Sequence, residues 1–266
     1  MSSATLAKPI YSVDLIKVGE ADVRGPEVWW MSHWDEWETL FFYSVLVRGP
    51  GHKLLINTGP GKDTRALDKI WVQYSGHTRA AMRLSGHISE SLVSLGTTAD
   101  EITDIILSPF QSYSAADLMH FGNARIHLSK RGWVEFHAPD VMPADQTSNR
   151  DSALPRDVLI HLVTDGWSKV RLLDDEDEVI PGIDVFRAGV HHPESLAVVI
   201  PTRYGPIVWT DGLFKLGNFE RAHPVGLTRS LRESAVLQQR VEAIDGIVLP
   251  AFDDTLLDRY ARGSVA

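Results

Sequence analysis

The residues best placed to do chemistry sit in three short stretches, each directly after an apolar run. Ser108-Pro109-Phe110-Gln111-Ser112-Tyr113-Ser114-Ala115-Ala116-Asp117 follows Asp104-Ile105-Ile106-Leu107 and leads into a helix-compatible Ala115 to His120. Gly189-Val190-His191-His192-Pro193-Glu194-Ser195 follows the strand-like Ile183 to Ala188, and Thr210-Asp211-Gly212 closes a strand from Ile207 to Trp209. A buried strand that ends in polar residues is where α/β proteins place their chemistry, because strand ends carry the loops that line the crevice. The groups on offer are hydroxyls, an amide, imidazoles and a carboxylate, which can move protons and donate hydrogen bonds. The first stretch occupies a catalytic position without looking like a set of metal ligands.

The surrounding elements read as alternating strands and helices. Tyr11 to Val18 alternates as a half-buried strand, with Gly19 to Pro26 expected as a turn. Leu40 to Val47 and Lys53 to Ile56 form a hairpin about Gly49-Pro50-Gly51, closing on Asn57-Thr58-Gly59. Leu196 to Ile200 and Ile207 to Trp209 form a second hairpin about Arg203 to Pro206, closing on Thr210-Asp211-Gly212. The two hairpins resemble each other, and this internal repeat argues for two similar halves whose sheets pack face to face. Helices are expected at Arg65 to Tyr74, Ile88 to Leu95, Lys130 to Phe136, Arg229 to Ile244 and Asp254 to Arg262, and a last buried strand at Gly246 to Leu249. His137 to Arg156 reads as a long loop, and the acidic run Asp174 to Glu178 as a solvated hairpin edge. Trp29 to Trp37 holds four of the eight tryptophans of the chain, which either pack on the core or form an aromatic lid.

Composition narrows the function classes. A net charge of −9 with both signs interspersed gives no cationic face for nucleic acid or a membrane surface. The absence of cysteine excludes disulfides and thiolate metal sites. No run approaches the ~20 apolar residues of a membrane span, and Met1 to Pro9 lacks a signal-peptide core, so a cytoplasmic protein is the default. With 266 residues and 44% hydrophobic content, a single domain over 1–266 is expected, with an aromatic arm at about 26–38 near the pocket and a homodimer left open.

The motifs, taken in order, resemble the metallo-β-lactamase superfamily, in particular its acyl-homoserine lactonase-like branch, over about Tyr11 to Tyr260. Resemblance implies an α/β fold, the αββα sandwich, with two mixed sheets face to face and helices outside. It also implies one or two zinc ions on an HxHxDH motif, which falls here on Pro109, Gln111, Tyr113 and Ser114. None of these is a good zinc ligand. The family's DTG is Asn57-Thr58-Gly59 here, its last metal histidine falls on Phe252, and its substrate-side tyrosine on Phe214. Only His191 and Asp211 keep family ligand types. Two are too few for a catalytic zinc, unless His192, His33 or Glu36 contributes from a new direction. No metal and no cofactor are therefore expected.

What remains is a polar pocket rim. The expected reading is a metal-independent, hydrolase-like enzyme for a small cyclic or ester-type, lactone-like substrate. His191 would act as base, Asp211 as its orienting acid, Ser114 as a candidate nucleophile and Tyr113 as a donor to the oxyanion. Gln111, Ser112, His33, Trp30, His192 and Phe214 would contact the substrate, with His33 of the arm pointing towards His191. A non-catalytic small-molecule binder and a regulatory partner protein stand as alternatives.

Overall fold

The computed structural model describes residues 9–139 and 153–266. Most of the loop expected at His137 to Arg156 lies outside the described residues. Long alternating segments build the first sheet: β1 (Ser12–Arg24) pairs antiparallel with β2 (Trp37–Gly49), and β2 turns into β3 (His52–Ile56). A short β4 (Arg83–Leu84) adds to the edge of β1. On the other side β5 (Asp104–Ile106), β6 (Arg125–Ser129) and β7 (Val170–Leu173) continue in parallel, giving the order β4-β1-β2-β3-β5-β6-β7 among the described residues. The second sheet runs β12-β11-β10-β9-β8, from β8 (Glu176–Ile180), β9 (Ile183–Arg187), β10 (Leu196–Thr202), β11 (Gly205–Thr210) and β12 (Ile247–Pro250). Both sheets are mixed, and the inner faces meet in one apolar core that includes Leu46, Ile106, Val198 and Val208, none of them exposed to solvent. This is the αββα layering expected from the sequence.

The internal repeat has a structural counterpart. In one half an antiparallel hairpin, β2 and β3, is followed by a parallel neighbour, β5; in the other β10 and β11 are followed by parallel β12. Strand ends β3, β5 and β11 thus open at one edge of the sandwich, and the polar stretches come off those ends.

Three local expectations are corrected. Gly19 to Pro26 is not a turn: β1 continues through a bulge at Lys17/Gly19 to Arg24, and α1 (Gly25–Val28) follows. Glu20 and Asp22 are held in this strand by Arg79 and Arg83 across the sheet edge, with Arg83 Nη2 2.9 Å from Asp22. The second correction concerns the helix expected at Ala115. After α2 (Arg65–Ser75) and α3 (Ile88–Ser94), the short α4 is Ser112–Ala115, capped by Gln111, and a 3-10 turn spans Leu118–His120. Third, the last helix is only Leu256–Arg259, because Tyr260 leaves it in extended backbone (φ −118°, ψ 92°) ahead of a 3-10 turn at Ala261–Gly263. No helix of the described residues is long and apolar enough to cross a membrane.

One contact sets the loop that carries both histidines. Gly132 in α5 (Lys130–His137) lies so close to Glu194 that a Cβ at 132 would stand 2.2 Å from Glu194 Cβ and 2.4 Å from its Cα. Alanine normally favours a helix over glycine by ~1 kcal/mol. Here Gly132→Ala is expected to destabilise by about 1–3 kcal/mol through overpacking against backbone, measured by urea unfolding. A stabilised variant would show that the loop moves freely.

Candidate active site

The centre of the site is Asp211, which leaves β11 with no exposure to water. Ser108 Oγ donates to its Oδ1 at 3.0 Å and Ser195 Oγ donates to its Oδ2 at 2.5 Å. Each hydroxyl also accepts a backbone N–H, Ser108 from Leu196 at 2.9 Å and Ser195 from His192 at 3.0 Å. Asn57 completes the framework from the end of β3. Its left-handed φ of 62°, a conformation asparagine tolerates, aims the amide at Ser108, where Nδ2 donates to the carbonyl at 2.8 Å and Oδ1 accepts the N–H at 2.9 Å.

The histidine loop is held under strain. Val190 has φ 61°, a costly conformation for a β-branched residue, fixed because its N–H donates to Glu233 Oε2 at 3.1 Å and its carbonyl accepts from Arg229 N at 2.6 Å. His191 and His192 follow, with ring centroids 3.9 Å apart. His191 Nδ1 lies 3.6 Å from Asp211 Oδ2, and His192 Nδ1 lies 3.9 Å from Glu194 Oε1. The result is two imidazoles side by side, each backed by a buried carboxyl group. Neither approach is a hydrogen bond, and His191 Nδ1 is buried with no hydrogen-bond partner among the described residues.

Burial governs the electrostatics. It pushes His191 down to about 3 and His192 well below the usual histidine range, so both rings are neutral at pH 7. Burial raises Glu194 to about 7, opposed by backbone hydrogen bonds that include Phe110 N–H at 3.1 Å, and assisted by the charge of Asp211. Burial also raises Asp211, against hydrogen bonds from Ser195 and Ser108 that favour its charged form. Tyr113 is held well above its ordinary value by burial and then by Asp211 and Glu194, which keeps its hydroxyl a donor.

A cavity of about 380 Å³ lies in front of the two imidazoles, lined by His191, His192, Gln111, Tyr113 and Phe214 together with Phe42, Trp71 and Phe252. The aromatic walls support one another: Phe42 contacts Trp71, Tyr113 and Phe252 at 5.2–5.6 Å, and Phe214 meets His191 at 4.7 Å. Leu67, Ile70, Trp71 and Tyr74 of α2 close one side.

The structure brings together only some of the residues singled out in the sequence. Gln111, Tyr113, His191, His192 and Phe214 line the cavity, and Asp211 stands behind His191. Ser112 and Ser114 are not among the lining residues; Ser114 is buried within α4 rather than at its start. Trp30 and His33 also lie outside the lining. Trp30 is partly exposed near His223, and His33 Nδ1 is 2.8 Å from Glu36, with its ring against Trp29. Trp29 itself is buried and donates to Glu38 at 2.8 Å, so this part of the arm packs on the body of the protein. Glu27, near the start of the arm, does line the cavity, together with α2, whose apolar residues at 67, 70, 71 and 74 follow the helical i, i+3, i+4, i+7 spacing. That spacing was visible in the sequence, whereas Ser108, Ser195 and Glu194 carry no periodic signal.

These residues do not fit the zinc centre that the resemblance implies. The positions of Pro109, Gln111, Tyr113, Ser114 and Phe252 offer no ligand, both Asp211 oxygens accept from serine hydroxyls, and Phe214 and Phe252 pack against His191.

No protein-family model matches the chain, and no curated protein matches it in sequence. Solved structures do. An N-acyl homoserine lactone hydrolase with the product N-hexanoyl-L-homoserine bound at its catalytic metal center superposes with a TM-score of 0.75 at 14% identity, covering 97% of this chain and 100% of that one. A probable metal-dependent hydrolase from Staphylococcus aureus gives 0.72 at 16% identity, covering 94% and 91%. The hydrolase AbOPH of the beta lactamase superfamily gives 0.64 at 12% identity, covering 98% and 93%.

Two tests follow from the geometry. Replacing Asn57 with the aspartate that the resemblance would place there sets a carboxylate oxygen against the Ser108 carbonyl. Asn57→Asp is expected to cost about 2–3 kcal/mol at pH 7 by urea unfolding, and an unchanged midpoint would show that the amide is not what holds the turn. Glu194 binds its proton more tightly when folded, so its contribution to stability is complete below about pH 4.5 and is lost as pH rises through about 7. His191, lowered on folding, has the opposite sign and subtracts stability as pH falls from 6.5 towards 3. The difference between Glu194→Gln and the parent isolates the first effect: the variant should gain on the parent by roughly 2–3 kcal/mol between pH 4.5 and 8. A difference that does not vary with pH would contradict this assignment.

Proposed function

With the metallo-β-lactamase fold as the frame, we propose that the chain is a metal-independent hydrolase acting on a small, largely apolar cyclic or ester-type substrate, lactone-like in chemistry. The observation that carries this reading is the neutral His191 on the cavity wall, with the Asp211 carboxyl group 3.6 Å behind it. The structural neighbours, among them a lactone hydrolase and a metal-dependent hydrolase, support hydrolysis as the reaction class.

In this reading the aromatic walls bind the apolar body of the substrate and exclude water around its carbonyl. The neutral ring of His191 takes a proton from a water molecule as the oxygen of that water adds to the carbonyl carbon. The resulting imidazolium gains from the adjacent Asp211 carboxylate, which Ser108 and Ser195 keep in place. Tyr113, held protonated, and the Gln111 amide donate to the developing oxyanion. Collapse breaks the carbon–oxygen bond, His191 returns the proton to the leaving alkoxide, and the sum is an acid and an alcohol. Ser114, being outside the cavity lining, has no part in this sequence of steps.

One observation favours a second reading, a binder without turnover: burial lowers His191 to about 3, which makes it a weak base until a charge develops beside it. Assays of lactones, aryl esters and cyclic amides with EDTA present separate the two. Turnover is expected, falling on the order of 10²–10⁴-fold in His191→Ala and less steeply in Tyr113→Phe. Unchanged turnover in His191→Ala would sink the mechanism. A rise in melting temperature with an aromatic lactone, without hydrolysis of any compound, would establish the binder.

A further inference from the structure

Outside this site, three side chains converge that the proposed reaction does not use. His87 caps the start of α3, and Asp117 and His120 lie on the turn after α4. His87 Nε2 is 3.1 Å from Asp117 Oδ2, and His120 Nε2 is 3.7 Å from Asp117 Oδ1. One ligand atom from each residue falls within 4.8 Å of the other two. Ligand atoms at 2.0–2.2 Å from a tetrahedral zinc stand about 3.4 Å from one another, so three atoms within 4.8 Å need only small side-chain adjustments to share an ion.

Two further observations separate this cluster from a casual grouping of polar residues. The side chain of His87 is only 9% exposed, and its Nε2, aimed at Asp117, is buried without a hydrogen-bond partner among the described residues. A buried polar atom in that state costs free energy unless a partner meets it. Beside Asp117, Gly61 leaves open the space that a Cβ would fill, 3.6 Å from Oδ1 and 3.2 Å from Ala116 Cβ. The chain has another three-residue cluster, His33, Glu36 and Glu38. That one is accounted for without a metal, because Glu38 accepts from Lys215 Nζ at 2.7 Å and from Trp29 at 2.8 Å, while His33 is bonded to Glu36.

We infer that His87, Asp117 and His120 form a binding site for one zinc-class divalent ion, tying the start of α3 to the turn that follows α4. Two imidazoles and a carboxylate suit zinc and its first-row neighbours rather than calcium or magnesium, which take oxygen ligands. Binding through Nε2 leaves the single proton of each ring on Nδ1, so His87 gives up its 3.4 Å cap contact from Ser89 N–H. His120 is half exposed, which leaves the fourth coordination position open to water. The expectation of a chain without metal came from the family positions around His191 and Asp211; this site lies apart from them and shares no residue with the cavity.

The test is a zinc titration of the full chain after treatment with chelator, read by calorimetry and melting temperature, with cobalt(II) absorption as the spectroscopic signature of a tetrahedral site. One ion per chain and a raised melting temperature are expected. Asp117→Asn and the exposed His120→Gln should each weaken binding at least tenfold, while His33→Gln leaves it unchanged. Because His120→Gln alters a half-exposed side chain, it tests the site even if Asp117→Asn fails to fold. The inference is overturned if the parent shows no saturable binding, if neither variant weakens it, or if His33→Gln or His191→Gln abolishes it. Hydrolysis in EDTA is a separate measurement, so failure of either proposal is distinguishable from failure of the other.

Discussion

A carboxylate shut away from water keeps its place only when other hydrogen bonds replace the ones it has lost. Asp211 meets this condition through Ser108 and Ser195, and each of those hydroxyls passes the constraint on by accepting a backbone N–H, Ser108 from Leu196 across the sandwich and Ser195 from His192 in its own loop. The end of β5, the start of β10 and the histidine loop are therefore fixed to one anion position. Asn57 adds the end of β3 by pairing with both backbone groups of Ser108. The geometry of His191 and His192 follows from this stitching and from the Glu233 grip on Val190, more than from any contact the rings make themselves.

The same framework creates an electrical imbalance. Two imidazoles and two carboxyl groups occupy a region where burial opposes every charge, and it drives the two residue types in opposite directions, histidines down and Glu194 up. Near neutral pH this leaves Glu194 as the group poised between its two forms. A site of this kind differs from an ion-centred one in how it manages charge. It holds its imidazoles neutral at rest and commits them only when a reaction or ligand supplies a counterpart.

The fold was legible in the sequence because its signals are long and repeated: two apolar hairpins, each ending in a small polar triplet. The cavity wall was legible where a polar side chain sits next to a strand end, as with Gln111, Tyr113 and His191, with Asp211 behind them. It was misread where position in space depends on packing. The tryptophans between 29 and 37 suggested a lid by composition, yet Trp29 found a carboxylate partner in Glu38 and a place on the body of the protein. The amphipathic face of α2, less conspicuous in composition, took the position beside the cavity. Ser108, Ser195 and Glu194 lie in the stretches singled out but received no role there, because a single buried serine or glutamate leaves no pattern along the chain; its partners, 103, 16 and 84 residues away, define it.

The engaged oxygens of Asp211 also bear on how this arrangement can change over generations. A histidine introduced alone at position 109 or 252 would enter a buried region as an imidazole without a partner, at a cost of about 1–3 kcal/mol, and would find the neighbouring carboxylate already occupied by two hydroxyls. Only the last of several substitutions would repay the earlier ones. Single steps towards a metal-holding set are thus each selected against, and the serine-bound carboxylate acts as a ratchet that confines drift to its own side of that barrier.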